Sequence, residues 1–150
     1  MIKQIPDKWI RKAITDVLHN MSVLDEENNT TIQVPCYDTR VPTNNTKNYY
    51  ILLSTQTNTV IKGSRCEYSY ESSILLDIIT SFDSSGNGTS RLLAENILDK
   101  ARELTNNLQL DVASGLTILR RTQNFPNDIS TITPNESIFR KLMRIELFVN

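Results

Sequence analysis

Hydrophobic and polar positions alternate with the period of an amphipathic helix in two parts of the chain. In the first, apolar side chains recur at three- and four-residue steps after Pro6, a residue that suits the first turn of a helix, and Asp7 follows where the helix dipole favours a negative charge. In the second, Thr89 or Ser90 offers a hydroxyl for the N-cap. The predicted buried stripes are Ile10, Ala13, Ile14, Val17, Leu18 and Met21 in the first helix, and Leu93, Ile97, Ala101, Leu104 and Leu108 in the second.

The middle of the chain alternates with the period of a β-strand. From Cys66 to Phe82 the even positions carry the core-type side chains, among them Tyr68 and Tyr70, without a change of parity. A strand is also predicted over residues 49–57, continuing through 60–61 to a turn at 62–64, so the two strands form a hairpin. At the usual rise per residue the second strand would exceed about 50 Å. It therefore either bends near Ser72 and Ser73 or projects from the body.

Shorter strands are predicted over residues 32–37, 116–122 and 137–149, with a polar turn at 25–31 and a loop at 124–135. The length of 150 residues fits a single domain, residues 1–150. We therefore predict an α+β fold, a mainly antiparallel β-sheet with a long β-hairpin, packed against two α-helices.

Several strands carry apolar side chains on both faces. Two helices can cover only one face of a small sheet, so the second face requires another cover. A curved sheet that partly covers itself would also account for the pattern. We favour oligomerisation, and hypothesise that the subunit contacts include Tyr50, Leu75, Ile79, Leu142 and Phe148, with aspartate at Leu75 or Phe148 weakening the assembly.

Charge and composition exclude several classes of partner. Sixteen basic and seventeen acidic residues give a net charge of -1, which provides no overall field toward nucleic acid or an anionic membrane. The charged N-terminus lacks a signal-peptide pattern and no apolar run is long enough to span a bilayer, so we expect a cytosolic product with no membrane contact. Cys36 and Cys66 lie apart with no CxxC pair, which indicates buried thiols.

No group of residues has the pattern of an active site. The lone His19 lies off its helix stripe, and Glu95, Asp99 and Glu103 are accompanied by basic neighbours, as on a solvated helix face. Asp77 interrupts an apolar strand but is a single carboxylate. The segment SSGNGTS, residues 84–90, lacks the lysine and the glycine spacing of phosphate-binding loops. We therefore predict no catalytic, cofactor or metal site.

Nucleic-acid binding is the alternative function, as an accessory protein. Tyr68 and Tyr70 near Arg65 could stack bases, but they share parity with the predicted core face. The basic residues are concentrated only at Arg120, Arg121, Arg140, Lys141 and Arg144. Salt-sensitive binding would favour this alternative, and a tightly bound metal or cofactor would favour an enzyme with a site assembled from scattered residues.

The order of elements, and the segments PDKWIRKAITDVL, YYILLSTQT, CEYSYESSILLDII, SRLLAENILDKARELT and RKLMRIELFV, resemble the tail-terminator and tail-completion proteins of long-tailed bacteriophages and related neck-ring proteins. This resemblance implies a non-enzymatic virion protein, made in the host cytoplasm, that forms a closed ring, a hexamer or larger, at the head–tail or neck–tail junction. It also implies neighbouring neck, connector or tail proteins as partners, and passage of genomic DNA through the lumen without sequence-specific binding. It assigns no role to any single residue.

Overall fold

The computed structural model describes residues 5–62, 68–83 and 91–150, and the α+β prediction is confirmed. Two helices and eight strands are present in these ranges. In chain order they are α1 (Asp7–Leu18), β1 (Met21–Asp25), β2 (Thr30–Val34), β3 (Cys36–Asp38), β4 (Tyr49–Lys62), β5 (Tyr68–Asp83), α2 (Arg91–Asn106), β6 (Ile118–Asn124), β7 (Ile129–Ile132) and β8 (Glu136–Val149), with a 3-10 turn at Val112–Ser114 before β6.

Six of the strands form the main sheet, in the order β3–β4–β5–β8–β6, with β7 paired to the other half of β8. All of its pairs are antiparallel except β3–β4, and β1 and β2 form a separate hairpin. β5 and β8 pair without a register shift from Tyr70 opposite Val149 to Asp83 opposite Glu136. This central pair fixes which side chains of the sheet share a face.

One face of the sheet, the inner face, packs against α1 and α2. Ile74, Leu76 and Ile78 of β5 are 0% exposed and join the apolar stripes of both helices in one core cluster. The predicted alternation is thus confirmed from Tyr70 to Thr80, whereas Phe82 is 42% exposed. Cys66 and the side chain of Tyr68 lie outside the described residues.

β4 contains an irregularity that changes the faces of its side chains. The register with β5 shifts between Leu53 and Gln56, where two residues of β4 lie opposite the single residue Leu75 of β5, so that β4 has one extra residue. Before the shift, odd residues such as Ile51 face the core; after it, even residues such as Asn58 pair with inner-face positions. The irregularity of the long hairpin therefore lies in β4, in the manner of a β-bulge. The register between β5 and β8 shows no break at Ser72 or Ser73.

Some predicted boundaries were wrong. Met21 begins β1 instead of ending the first helix, because Asn20 takes a left-handed conformation (φ 58), which asparagine tolerates better than most residues. Pro35 separates β2 from β3, where one strand was predicted. The predicted loop 124–135 contains β7, whose residues are all exposed and so carry no alternation of burial. Leu108 is buried but lies beyond the end of α2.

Cys36 is a buried free thiol, as predicted. Its burial, with the charge of Asp38 as a second cause, raises the pKa of the thiol from 9.0 to about 12. We expect iodoacetamide at pH 8 to leave Cys36 unmodified in the native protein and to alkylate it in guanidinium, as read by peptide mass spectrometry. Because the unfolded chain loses this proton first, stability should fall as the pH rises above about 9. Rapid native labelling would contradict the burial.

Candidate subunit-contact surface

The five side chains predicted at subunit contacts all lie on the outer face of the sheet, opposite the helices, and each is half-buried. Tyr50 pairs with Ile79; on the same face Leu142 lies one step further, opposite Asp77, and Leu75 lies two steps further, opposite Arg144. Phe148 lies apart, toward the far end of β8, about 20 Å from Leu142 at the usual rise per residue. The structure thus groups four of the five residues and separates the fifth.

A charged pair occupies the centre of this group. Asp77 of β5 is only 3% exposed although it lies on the outer face. Arg140 of β8 donates from Nε to both carboxylate oxygens, at 3.2 and 3.1 Å, and also from Nη2. The two residues are diagonal neighbours across the β5–β8 pair, a spacing that long side chains can bridge. Sequence alone singled out Asp77, but its partner could be found only from the strand register.

Apolar side chains surround this pair, and we call the whole group the outer patch: Tyr50, Leu52, Leu75, Ile79 and Leu142 around Asp77 and Arg140. Its electrostatics reflect partial exclusion of water. The hydrogen bonds that Arg140 donates to Asp77 raise the pKa of Arg140 above its ordinary value. Burial, and next the charge of Asp77, raises the pKa of Tyr50. The patch is therefore an apolar surface with a neutralised ion pair at its centre.

Phe148 belongs to a second, polar part of the outer face. Arg120 of β6 lies over its ring, 5.7 Å from the centroid, and approaches Glu71 at 3.8 Å. This part of the outer face contains a shallow concavity of about 350 Å³. Its lining includes Thr57, Thr59, Glu71, Arg120, Arg144, Glu146 and Phe148. Its charges are of both signs. This mixture gives no groove of uniform positive charge for a nucleic-acid backbone.

The five basic residues that the sequence concentrates in two segments, 120–121 and 140–144, are divided between the two faces of the sheet. Arg121 donates to the carbonyl of Leu108, from Nε at 3.1 Å and Nη2 at 2.5 Å. Lys141 forms ion pairs with Asp128 at 2.6 Å and with Glu95 at 3.4 Å. Only Arg120, Arg140 and Arg144 lie on the outer face. The alternative of a basic binding surface therefore gains no geometric support.

The other candidate groups have local partners. His19 is exposed, and its Nδ1 lies 3.2 Å from the Cys36 amide, which donates to it. Glu95 and Glu103 pair with Arg91 and Lys100 on α2. No cluster of potential metal ligands occurs among the described residues, and the segment 84–90 lies outside them. Within the same ranges, no helix is long and apolar enough to cross a membrane.

No family model and no curated protein matches this chain. Among solved structures, it is similar to a chain from the virion of a native gene transfer agent particle, with a TM-score of 0.60 and 13% sequence identity. The similarity covers 95% of this chain and 96% of that one. At this identity the likeness shows a shared fold along nearly the whole length of both chains.

Proposed function

We propose that this chain is a non-enzymatic structural subunit of a phage-like virion, and that it assembles into a closed ring, a hexamer or larger, at the head–tail or neck–tail junction, as a tail terminator or connector. The observation that carries the proposal is the near-complete overlap of its fold with a chain of the gene transfer agent virion. The segments that resemble tail-terminator proteins point to the same class.

The outer patch is the surface we assign to subunit contacts, together with Phe148. Its apolar side chains remain half-buried, and both helices pack on the inner face. A neighbouring copy would remove these side chains from water, which favours association. In a ring this contact is heterologous, because each copy presents one surface to the preceding subunit and another to the following one.

In such a ring the chain joins neighbouring neck, connector or tail proteins along the axis, while genomic DNA passes through the lumen. The mixed charges of the outer face and the net charge of -1 are consistent with passage of DNA without sequence-specific binding.

The mass of the purified protein in solution, measured by light scattering at several concentrations, tests this proposal. A closed multiple of the 17.1 kDa chain is the expected result. Adding the neighbouring ring proteins extends the test to assembly on a docking platform. A chain that stays monomeric in both conditions would contradict the ring, and salt-sensitive capture of DNA by that monomer would favour a nucleic-acid-binding accessory protein instead.

Leu75→Asp should weaken the ring while leaving the subunit folded. The new carboxylate would lie in the outer patch, where a neighbouring copy could not solvate it, whereas in the free subunit Arg144 lies directly opposite on β8. We expect at least a tenfold rise in the concentration needed for assembly, with an unchanged circular dichroism spectrum. Phe148→Asp tests the separate end of the same face.

Val112→Asp is the matched control, because Val112 is 94% exposed and lies in a 3-10 turn, outside the strands of the sheet. It should assemble like the natural chain. If Leu75→Asp and Phe148→Asp also assemble normally, the outer face does not form the subunit contact.

A further inference from the structure

At the end of the sheet where the β4–β5 hairpin lies, neither edge has a further strand among the residues that the structure describes. β3 pairs with β4 only as far as Leu53, and β7 pairs only with the first part of β8. Among the described residues the strand order at this end is therefore β4–β5–β8–β6. Within residues 5–62, 68–83 and 91–150, the backbone N–H and C=O groups on the outer sides of β4 and β6 have no strand partner here. Such an edge can pair with a strand of another chain.

The β4 edge lacks the features by which natural sheets discourage pairing. Helix α1 protects it as far as Gln56, whose side chain accepts from Arg11 Nε at 2.6 Å and donates to the Asp7 carbonyl at 3.2 Å. The following residues, 57–61, are Thr-Asn-Thr-Val-Ile, with no charge, proline or glycine, and four of the five have a strong β-forming tendency. Their register with β5 shows no further shift.

Strand direction makes the two edges complementary. Successive strands in this four-stranded section are antiparallel, so β4 and β6 run in opposite directions. β6 of one copy placed beside β4 of the next would continue the antiparallel alternation, with the same face of the sheet on the same side in every copy. This contact is heterologous and can be repeated around a ring, whereas a β4–β4 contact would close as a two-fold dimer.

The side chains at the two edges are also compatible. Each edge carries a large apolar side chain that is mostly exposed, Val60 at 51% and Leu119 at 56%. β6 has two charged residues, Arg120 and Arg121, but residues 57–61 of β4 have none. Pairing β6 with this segment therefore places no like charges opposite each other across the junction.

We propose that residues 57–61 of β4 pair antiparallel with β6 of a second copy of this chain, so that the sheet continues from one subunit to the next. The inference rests on the proposed function, since it names a contact through which the ring closes. The outer patch lies at the other end of the sheet, and one subunit can use both surfaces.

Disulfide trapping tests this pairing. In a Cys66→Ser background, Thr122→Cys on β6 is combined in turn with Thr57→Cys, Thr59→Cys or Ile61→Cys on β4, which samples registers that differ by two residues. Within one chain, β4 and β6 are separated by β5 and β8, about 14 Å at the usual strand spacing, whereas a disulfide needs Cα atoms within about 7 Å. Any disulfide between these two positions must therefore join two copies.

After mild oxidation, we expect at least one register to convert more than half of the protein into a ladder of covalent multiples that reduction abolishes. A mixture of the two single variants should give covalent dimers only. Thr59→Cys with Val112→Cys, a fully exposed position outside the edge, is the control and should give no ladder.

The possible results separate this inference from the proposed function. An intact oligomer without a ladder in any register overturns the pairing alone. Disulfide dimers from Thr59→Cys by itself would indicate a β4–β4 contact and also overturn it. If light scattering shows only monomers, alone and with the neighbouring ring proteins, both the pairing and the ring are wrong.

Discussion

Leu76→Ala should lower the free energy of unfolding by about 3–4 kcal/mol, the cost typical of a buried leucine whose removal leaves a cavity. Leu76 is 0% exposed at the centre of β5, between Leu53 on β4 and Met143 on β8. Because small domains have a total stability of only about 5–15 kcal/mol, this loss should be large in urea denaturation. Urea denaturation should be measured at a protein concentration below that at which subunits associate, since assembly adds to apparent stability.

Leu75→Ala provides the matched comparison, with the same chemical change one residue away on the opposite face. Leu75 is only half-buried, so we expect a cost of about 1 kcal/mol in the isolated subunit. Its larger effect should be on assembly, measured by light scattering. Equal losses of stability for the two variants would mean that the subunit itself covers the outer face, which would remove the physical reason for placing a contact there.

Arg140→Leu should destabilise the subunit by about 2–3 kcal/mol, because it leaves the carboxylate of Asp77 without its partner at a site where that residue is 3% exposed. The side chain of Arg140 is 37% exposed, so water reaches one side of the pair and the cost should be below that of a fully buried ion pair. Urea denaturation of the monomer measures the change.

The double variant Asp77→Leu/Arg140→Leu is the informative control. Replacing both members of such a pair by apolar residues is often neutral, so we expect a stability within about 1 kcal/mol of the natural chain. The double variant should also enlarge the apolar surface of the outer patch. If Arg140→Leu alone proves as stable as the double variant, solvent screens the pair and Asp77 does not depend on Arg140.

Where sequence prediction failed, the reason was local. The predicted apolar stripe of α1 runs on to Met21, because helical spacing alone does not show that Asn20 takes a left-handed conformation, which does not continue the helix. β7 was missed because a strand with both faces exposed has no hydrophobic period. In contrast, the alternation along β5 was long enough to identify its buried face from Tyr70 to Thr80.

The residues predicted at subunit contacts also show what local periodicity reveals and what it does not. Sequence identified Tyr50, Leu75, Ile79, Leu142 and Phe148 as apolar residues on the second face of the strands, because a strand alternates its side chains strictly. It could not show which residues of the neighbouring strand Leu142 and Phe148 meet. The pairing of β5 with β8 places Leu142 opposite Asp77, inside the outer patch, and Phe148 opposite Glu71, outside it.

The sequence by itself determined the class of fold, the two helices, the long hairpin and the identity of the core face, because these follow from local periodicity in α1, β5 and α2. Only the tertiary structure decided that Arg140 meets Asp77, that the register of β4 shifts after Leu53, and that β4 and β6 are the outermost of the described strands at one end of the sheet. These features depend on register and strand order, which are set by contacts between residues far apart in the chain.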